Sequence, residues 1–397
     1  MGVPKLRFKA DDGSDFPDWT FRTFGSVVEE FNDRTTTENE DVLLSCAIDG
    51  MYLNSELFGH QRGASNIGYK KITKGALILS MQNLHLGNAN VNTRFEHGIV
   101  SPAYKTFHIV GCLTEFMSAW VKRHAARKFF YDATTVGASQ CRRNVDWEEL
   151  YQQTIAVPSP SEQRKIADLL SAVDDVISAQ EADVAAWEKR KKGVMQKLFR
   201  QEVRFKADDG SNFPDWEEQK IEDVCVLNPR TEQLDDEFYY MDLGSIDHGK
   251  WETPEIVNKV DAPSRAQRVA AIDDVFFQSV RPYNMGHYHY VAAKDKQVVA
   301  STGYIQARMR NGSNAFLYQL FYEERFNAEV NARCTGSNYP AINSRKFGEI
   351  TVALPSLPEQ RKIADCLSAL DDVIIKAKNE LAKWQELKKG LLQQMFV

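Results

Sequence analysis

TIAVPSPSEQRKIADLLSAVDDVI, residues 154–177, returns as TVALPSLPEQRKIADCLSALDDVI, residues 351–374. The displacement is 197 residues, and a second block keeps it: RFKADDGSDFPDW at 7–19 recurs as RFKADDGSNFPDW at 204–216, with Asn212 in the place of Asp15. The tail follows the same offset, Trp187 with Trp384, Lys191-Lys192-Gly193 with Lys388-Lys389-Gly390, and Phe199 with Phe396. A repeat of this length decides the architecture before any motif does. Between the shared blocks the halves hardly align, beyond hints such as Asn32-Asp33-Arg34-Thr35 beside Asn228-Pro229-Arg230-Thr231. Duplication for stability alone would keep both cores and let surfaces drift. Here whole domains differ while the frame is kept, which describes one scaffold presenting two different binding surfaces.

Each repeated block opens a long helix. Pro158 and Pro355 end the preceding strands, Ser161 and Pro358 stand where a helix should begin, and Glu162 and Glu359 place negative charge in the first turn. Seam positions Ile363, Leu367, Leu370, Ile374, Ala377, Leu381, Trp384, Lys388 and Leu391 alternate steps of four and three. Ile166, Leu170, Val173, Ile177, Gln180, Val184, Trp187, Lys191 and Val194 repeat that heptad pattern. A helix over 161–199 is about 58 Å long at 1.5 Å per residue and needs a partner. Two copies in one chain predict an antiparallel intramolecular coiled coil with a pseudo-two-fold relation between the halves. The alternative is that each helix packs on its own domain. About 58 Å matches roughly 17 base pairs of duplex, so such a pair could act as a ruler between two sites.

The expected fold is therefore α/β (α+β) domains alternating with two long helices: a first variable domain over 1–157, a helix over 158–200, a second variable domain over 201–354 and a helix over 355–397. Strands are expected at 42–45, 76–79, 239–243, 274–277 and 298–300, between Gly, Asn and Asp turns, with helical stretches near 113–130 and 314–331.

With 397 residues and 43% hydrophobic content the chain has apolar material for two or three domain cores. No apolar run suits a bilayer span and the start lacks a secretory core, so a cytoplasmic address is expected. Six cysteines, Cys46, Cys112, Cys141, Cys225, Cys334 and Cys366, are scattered singly, which argues against a zinc site and a disulfide framework. The net charge is −6, and neither variable domain is strongly basic. Phosphate neutralisation by Lys and Arg supplies most non-specific DNA affinity, so DNA binding by this chain should be weak unless a partner contributes positive surface.

Function is expected in the loops. In the first domain Gln82, Asn83 and His85, then Asn92 and Arg94, then Gln140, Arg142 and Arg143 gather amides and guanidinium groups. In the second domain Arg281, Tyr283, Asn284 and His287, then Ser337, Asn338 and Tyr339, then Asn343, Arg345 and Lys346 occupy comparable places. Asn, Gln and Arg make the paired hydrogen bonds that distinguish adenine and guanine edges, whereas Lys and Ser more often hold phosphate. No phosphate loop, H-E-x-x-H or G-x-S-x-G motif is present, so no catalytic residue and no metal site is assigned. Asp174-Asp175 and Asp371-Asp372 lie on the helices, where adjacent residues point about 100° apart, and read as solvated faces or partner contacts rather than metal ligands.

The P-S-x-x-E-Q-R-K-I-A-D block, duplicated at 158–168 and 355–365 after two dissimilar domains, resembles the specificity subunit of Type I restriction-modification systems. The resemblance covers essentially the whole chain. Arg281-Pro282-Tyr283-Asn284 and Thr335-Gly336-Ser337 also resemble loops of such target-recognition domains, and in the first domain the corresponding loop reads Thr135-Val136-Gly137-Ala138-Ser139. The resemblance implies that each domain reads one half of a split double-stranded DNA target and that the helical pair sets the gap. It further implies docking to two modification subunits, which use S-adenosylmethionine to methylate adenine, and to restriction subunits that use ATP and Mg. Those cofactors and activities belong to the partners. An adenine methyltransferase would need an N-P-P-F-like motif, and Asn228-Pro229-Arg230-Thr231 does not supply it. The alternative function is a coiled-coil assembly scaffold that reads no DNA sequence. A nuclease acting alone and a silent allele are lesser readings.

Overall fold

The computed structural model describes residues 4–59, 65–139, 142–230, 233–247, 249–251 and 253–396. The heptad stretches form continuous helices, Pro160–Phe199 of 40 residues and Leu357–Gln394 of 38 residues, each starting one residue ahead of its sequence signal. The chain divides into two compact units, one made of Met1–Ala182 with Lys378–Val397 and the other of Asp183–Ala377. Neither long helix belongs to a single unit. Each unit combines the beginning of one with the end of the other.

In the first unit, Ile166 and Leu170 enter one core with Leu392, Met395 and Phe396, and Lys388 pairs with Asp174 at 2.5 Å. Contacts that move forward along one helix move backward along the other, so the two segments run antiparallel. In the second unit, Met195 and Leu198 share a core with Ile363 and Leu367, and Lys191 pairs with Asp371 at 2.6 Å. The seam is buried along its length: Val173, Ile177, Val184 and Ile374 are closed to solvent, while Leu370, Leu381, Trp187 and Trp384 are half-buried. Asp174 and Asp371 thus neutralise the lysine that each heptad seam carries. The two expectations for the helices prove compatible, because the same seam residues also close the core of the domain beside them. Phe24, Phe116 and Trp120 lie in the cluster of Ile166 and Leu170, and Phe316, Leu317 and Phe347 in that of Ile363 and Leu367.

The start of each long helix is fixed by a buried carboxylate. Glu162, fully closed to solvent, accepts hydrogen bonds from Arg7 Nε at 2.9 Å, Arg7 Nη2 at 2.8 Å and Trp19 Nε1 at 3.1 Å. Glu359 accepts the same three from Arg204 at 3.1 and 2.8 Å and from Trp216 at 3.2 Å. Gln163 donates to Pro158 O at 2.8 Å and accepts from Leu113 N at 2.7 Å, and Gln360 donates to Pro355 O at 2.9 Å and accepts from Ser313 N at 2.9 Å. Lys165 and Lys362 reach the carbonyls of Lys9 and Lys206. The two sequence blocks of each copy therefore recur together because they are the two halves of one contact.

The strands at the ends of each variable stretch pair with one another. Thr20–Thr23 runs antiparallel to Thr154–Val157, and Glu217–Lys220 antiparallel to Thr351–Leu354, in the same register. Inside these brackets unlike sequences build like sheets. The first unit orders Val28–Phe31, Tyr104–Ile109, Leu77–Ser80 and Ala89–Val91 in an antiparallel sheet. The second orders Cys225–Leu227, Tyr304–Met309, Asp274–Gln278 and Tyr288–Tyr290 likewise. Helices follow in both, Thr114–Lys122 with His124–Asp132 and Asn314–Leu320 with Glu324–Arg333. The second unit adds a sheet ordered Glu255–Asn258, Glu237–Met241, Val298–Ser301 and Ala266–Val269. One expectation needs correction: Thr135–Ser139 is not a loop but part of the strand Thr134–Ser139, which forms a hairpin with Arg142–Val145; its β-branched Thr134, Thr135 and Val136 pair with Val145, Asn144 and Arg143.

His287 also departs from expectation. It is fully buried, stacks on Phe277 with ring centroids 4.3 Å apart, and accepts a hydrogen bond at Nδ1 from Gln278 N at 3.1 Å. Burial holds its pKa down at about 3, and a protonated ring could not keep that acceptor. It is a core residue.

Two predictions arise from these contacts. Glu359→Ala should destabilise the second unit by about 1–3 kcal/mol, because it leaves the half-buried Arg204 guanidinium and the Trp216 indole without their acceptor; a urea midpoint unchanged from the parent would contradict this. His287 binds a proton in the unfolded chain at its ordinary value of 6.5 but not in the folded one until about 3. The unfolded state therefore holds the extra proton between those limits, and stability should fall by about 1.4 kcal/mol per pH unit as pH drops below that ordinary value. His287→Asn keeps an acceptor and cannot be protonated, so this variant should flatten that limb of the stability profile measured by urea denaturation at stepped pH.

Candidate nucleic-acid interface

The residues singled out in the second unit converge on one loop pair. Asp274–Gln278 leads through Val280 into a short 3-10 turn, Pro282–Asn284, and out into Tyr288–Tyr290. Bridges of Val280 and Thr335 to Ala341, with Arg281 N donating to Pro340 O at 2.7 Å, bind this turn to the 335–341 loop. Arg281, Tyr283, Asn284, Ser337, Asn338 and Tyr339 are thereby brought together, and the Arg281 guanidinium lies 5.3 Å from the Tyr339 ring centre. Tyr283 is 55% and Tyr339 67% exposed, so both rings stand in solvent beside the guanidinium.

The remaining candidates of this unit have local tasks. Asn343 accepts from Lys346 N at 2.9 Å and so caps the short helix Ser344–Gly348. Arg345 is exposed and reaches Glu349 at 3.3 Å, while Lys346 touches Arg333 O at 3.5 Å. His287 belongs to the core, as described above.

In the first unit Gln82 and Asn83 are exposed at the entry to the 3-10 turn Leu84–Leu86, and His85 is half-buried within it. Asn92 must be withdrawn as a reader. It is fully buried, donates to Thr73 O and Phe95 O at 3.1 and 2.8 Å, and accepts from Phe95 N at 3.0 Å, so its amide builds the turn that follows. Arg94 forms a forked pair with Glu56 at 3.0 and 2.7 Å and lies over Phe95. Arg143 bonds Thr134 Oγ1 and O, both at 2.7 Å, and stacks on Tyr131. Gln140 lies outside the described residues, and Arg142 is placed only as a strand residue.

Polar contacts that sequence reasoning missed are structural. Asp274, fully buried, accepts from Arg308 Nε, Gln306 Nε2 and Ala271 N, each at 2.7 Å. Cys46, Asn88, Asn90 and Lys122 form a second buried network in the first unit, where burial holds the lysine down at about 8 and the thiol up at about 11. No group of acidic, His and Cys side chains among the described residues is arranged to hold a metal ion, and none of their helices is long and apolar enough to cross a membrane.

Comparison with known proteins agrees with this architecture. Residues 214–384 match the family model of the Type I restriction modification DNA specificity domain. The Type I restriction enzyme MjaVIII specificity subunit of Methanocaldococcus jannaschii is 26% identical over 262 residues, 62% of this chain and 62% of that protein. The chain thus aligns with under two thirds of that relative. The putative MjaX specificity subunit of the same organism is 23% identical over 86% of this chain and 77% of its own length. In fold, the chain superposes on the Type I system S subunit from M. genitalium with a TM-score of 0.59 at 15% identity, covering 100% of this chain and 99% of that one. A chain from a structure describing assembly and conformational transition of the Type I R-M system gives 0.54 at 17% identity over 96% and 98%. Residues 214–384 thus match the Type I restriction modification DNA specificity domain, and the chain as a whole is similar in sequence and in fold to Type I specificity subunits.

Proposed function

We propose that this chain is the DNA sequence-specificity subunit of a Type I restriction-modification complex, in which each unit's recognition domain reads one half of a bipartite double-stranded target. The observation that carries this reading is the duplicated frame: one clamp and one strand bracket, present twice, hold two domains of like topology and unlike surface. A reader of one continuous sequence has no use for that arrangement. A reader of two different half-sites needs both a common mount and separate surfaces.

On this reading the antiparallel helical pair sets the number of base pairs between half-sites and docks two modification subunits. Those subunits bind S-adenosylmethionine and methylate adenine, and restriction subunits using ATP and Mg join through them, so chemistry resides in partners and the complex works in the cytoplasm. The net charge of −6 supports a subunit that shares DNA enclosure with others.

The test is co-expression with the cognate modification subunit, followed by single-molecule sequencing of methylated adenines in host DNA. A split motif should appear only when this chain is present. Exchanging residues 20–157 for another domain should change one half-site alone, and lengthening the 177–200 segment by a helical turn should change the gap. A stable complex that leaves no motif would instead make the chain an assembly scaffold.

A further inference from the structure

The two units place the same backbone device at the same position of the same sheet. In the first, the 3-10 turn Leu84–Leu86 joins the strands Leu77–Ser80 and Ala89–Val91; in the second, Pro282–Asn284 joins Asp274–Gln278 and Tyr288–Tyr290. Leu84 and Pro282 are buried at the first position of each turn. Each turn closes on a left-handed residue, Gly87 at φ 89 and Met285 at φ 52. Arg281 then stands where the first unit has Asn83, and Tyr283 where it has His85.

The second turn carries a cost that packing alone does not explain. Arg281 and Met285 both adopt the left-handed conformation, which side chains rarely do. The surroundings hold them there. Gln278, buried, accepts from Gly286 N at 2.8 Å and donates to Val280 O at 3.0 Å, Tyr322 donates to Met285 O at 3.3 Å, and Arg281 N is tied to Pro340 O. Yet the guanidinium so positioned has no internal task. Among the described residues it meets no carboxylate or carbonyl, its Nε is enclosed without an acceptor, and only the exposed Tyr339 ring lies against it. Arg308, Arg204 and Arg333 of this unit are held by Asp274, Glu359 and Glu329; Arg268 also has an enclosed Nε without a partner, but it lies on the strand Ala266–Val269, away from the paired loops.

We infer that the turn Arg281–Met285 is the base-reading element of the second unit, with the Arg281 guanidinium recognising a guanine, and that Gln82 and Asn83 occupy the equivalent station in the first. This rests on the chain being a DNA specificity subunit. A guanidinium presents two parallel donors that match the O6 and N7 acceptors of guanine in the major groove, while side-chain amides match adenine. Tyr339, 5.3 Å away at its ring centre, lies within cation–π reach of the guanidinium and limits its freedom before DNA arrives, so less is lost on contact. The two half-sites should therefore differ in kind: one contains a guanine owed to Arg281, and the other is read at the same station by amides.

The complex of the full chain with its modification subunit provides the test, through methylated-adenine sequencing and competition with duplexes altered one base at a time. The unaltered chain must first yield a split motif; a stable complex without one removes the specificity-subunit reading and this inference with it. Given that motif, Arg281→Gln should lower discrimination at one guanine of one half-site about 10- to 100-fold and leave the other half-site unchanged. Arg281→Lys keeps the stem and the charge but loses the rigid fork, and should relax the same base, which guards against a folding defect in the first variant. Melting temperature and elution of the complex are followed in parallel. The inference is overturned if neither variant changes any base, or if Arg281→Gln weakens all duplexes equally with a smaller salt dependence while Arg281→Lys does not, the mark of a phosphate contact.

Discussion

The structure depends on a carboxylate taken out of water at the start of each long helix. Burying an ionised group costs several kcal/mol unless charge and hydrogen bonds are both matched. Glu162 meets that condition through the forked Arg7 guanidinium and the Trp19 indole, and Glu359 through Arg204 and Trp216. Arg7 also donates to Pro17 O at 2.7 Å, and Arg204 likewise bonds Phe213 O and Pro214 O, so the loop ahead of each tryptophan is pinned as well. The neighbouring glutamine carries the same order outward, because its amide holds the backbone where the domain's helices begin. Helix, N-terminal segment and domain are thereby fixed at one point.

This clamp explains how a domain can be varied without disturbing its mount. The stretch 20–157 enters and leaves through paired strands, Thr20 opposite Val157, and 217–354 does so with Glu217 opposite Leu354. The ends of each insert are adjacent and in register, so what lies between is bracketed by backbone hydrogen bonds that any sequence can make. Only the face turned to the long helices is constrained, and there both units use aromatic side chains, Phe116 with Trp19 and Phe396, and Phe316 with Trp216 and Phe199. The second unit is contiguous in sequence, whereas the first is made of two separate stretches. The first includes the chain's end, where Leu6 N donates to Gln394 O at 3.0 Å as Val203 N donates to Lys197 O at 3.3 Å in the second. Each unit therefore takes one helix end from each copy of the repeat.

What the sequence disclosed follows from what repeats expose. Identity at a fixed offset revealed the frame, the start signals placed both helix beginnings to within a residue, and heptad spacing revealed the seam, because a buried seam constrains residue type at every third or fourth position. The clamp was within reach, since Arg7, Trp19 and Glu162 recur together as Arg204, Trp216 and Glu359, but the glutamates were read as helix-end charges. The common sheet order of the inserts was hidden, because alternation of apolar residues is satisfied by unrelated sequences. Composition failed where burial decides the role. Asn92 and His287 look like readers in sequence, and both are closed to solvent, one forming a turn and the other packing on Phe277.

Charge leads to the last step. Several cations of the two variable stretches are held internally, Arg94 by Glu56, Lys105 by Glu30, Lys71 by Glu40, Arg308 by Asp274. Internal pairing removes them as phosphate ligands, since each would have to leave a carboxylate behind. On the proposed reading, a chain so arranged gains little from long-range attraction to DNA, and its contribution to recognition comes from a few groups left unpaired at fixed positions. That division suits a subunit whose partners hold the duplex while it selects the sequence: affinity without sequence preference would only oppose selection, because every non-specific site competes with the target.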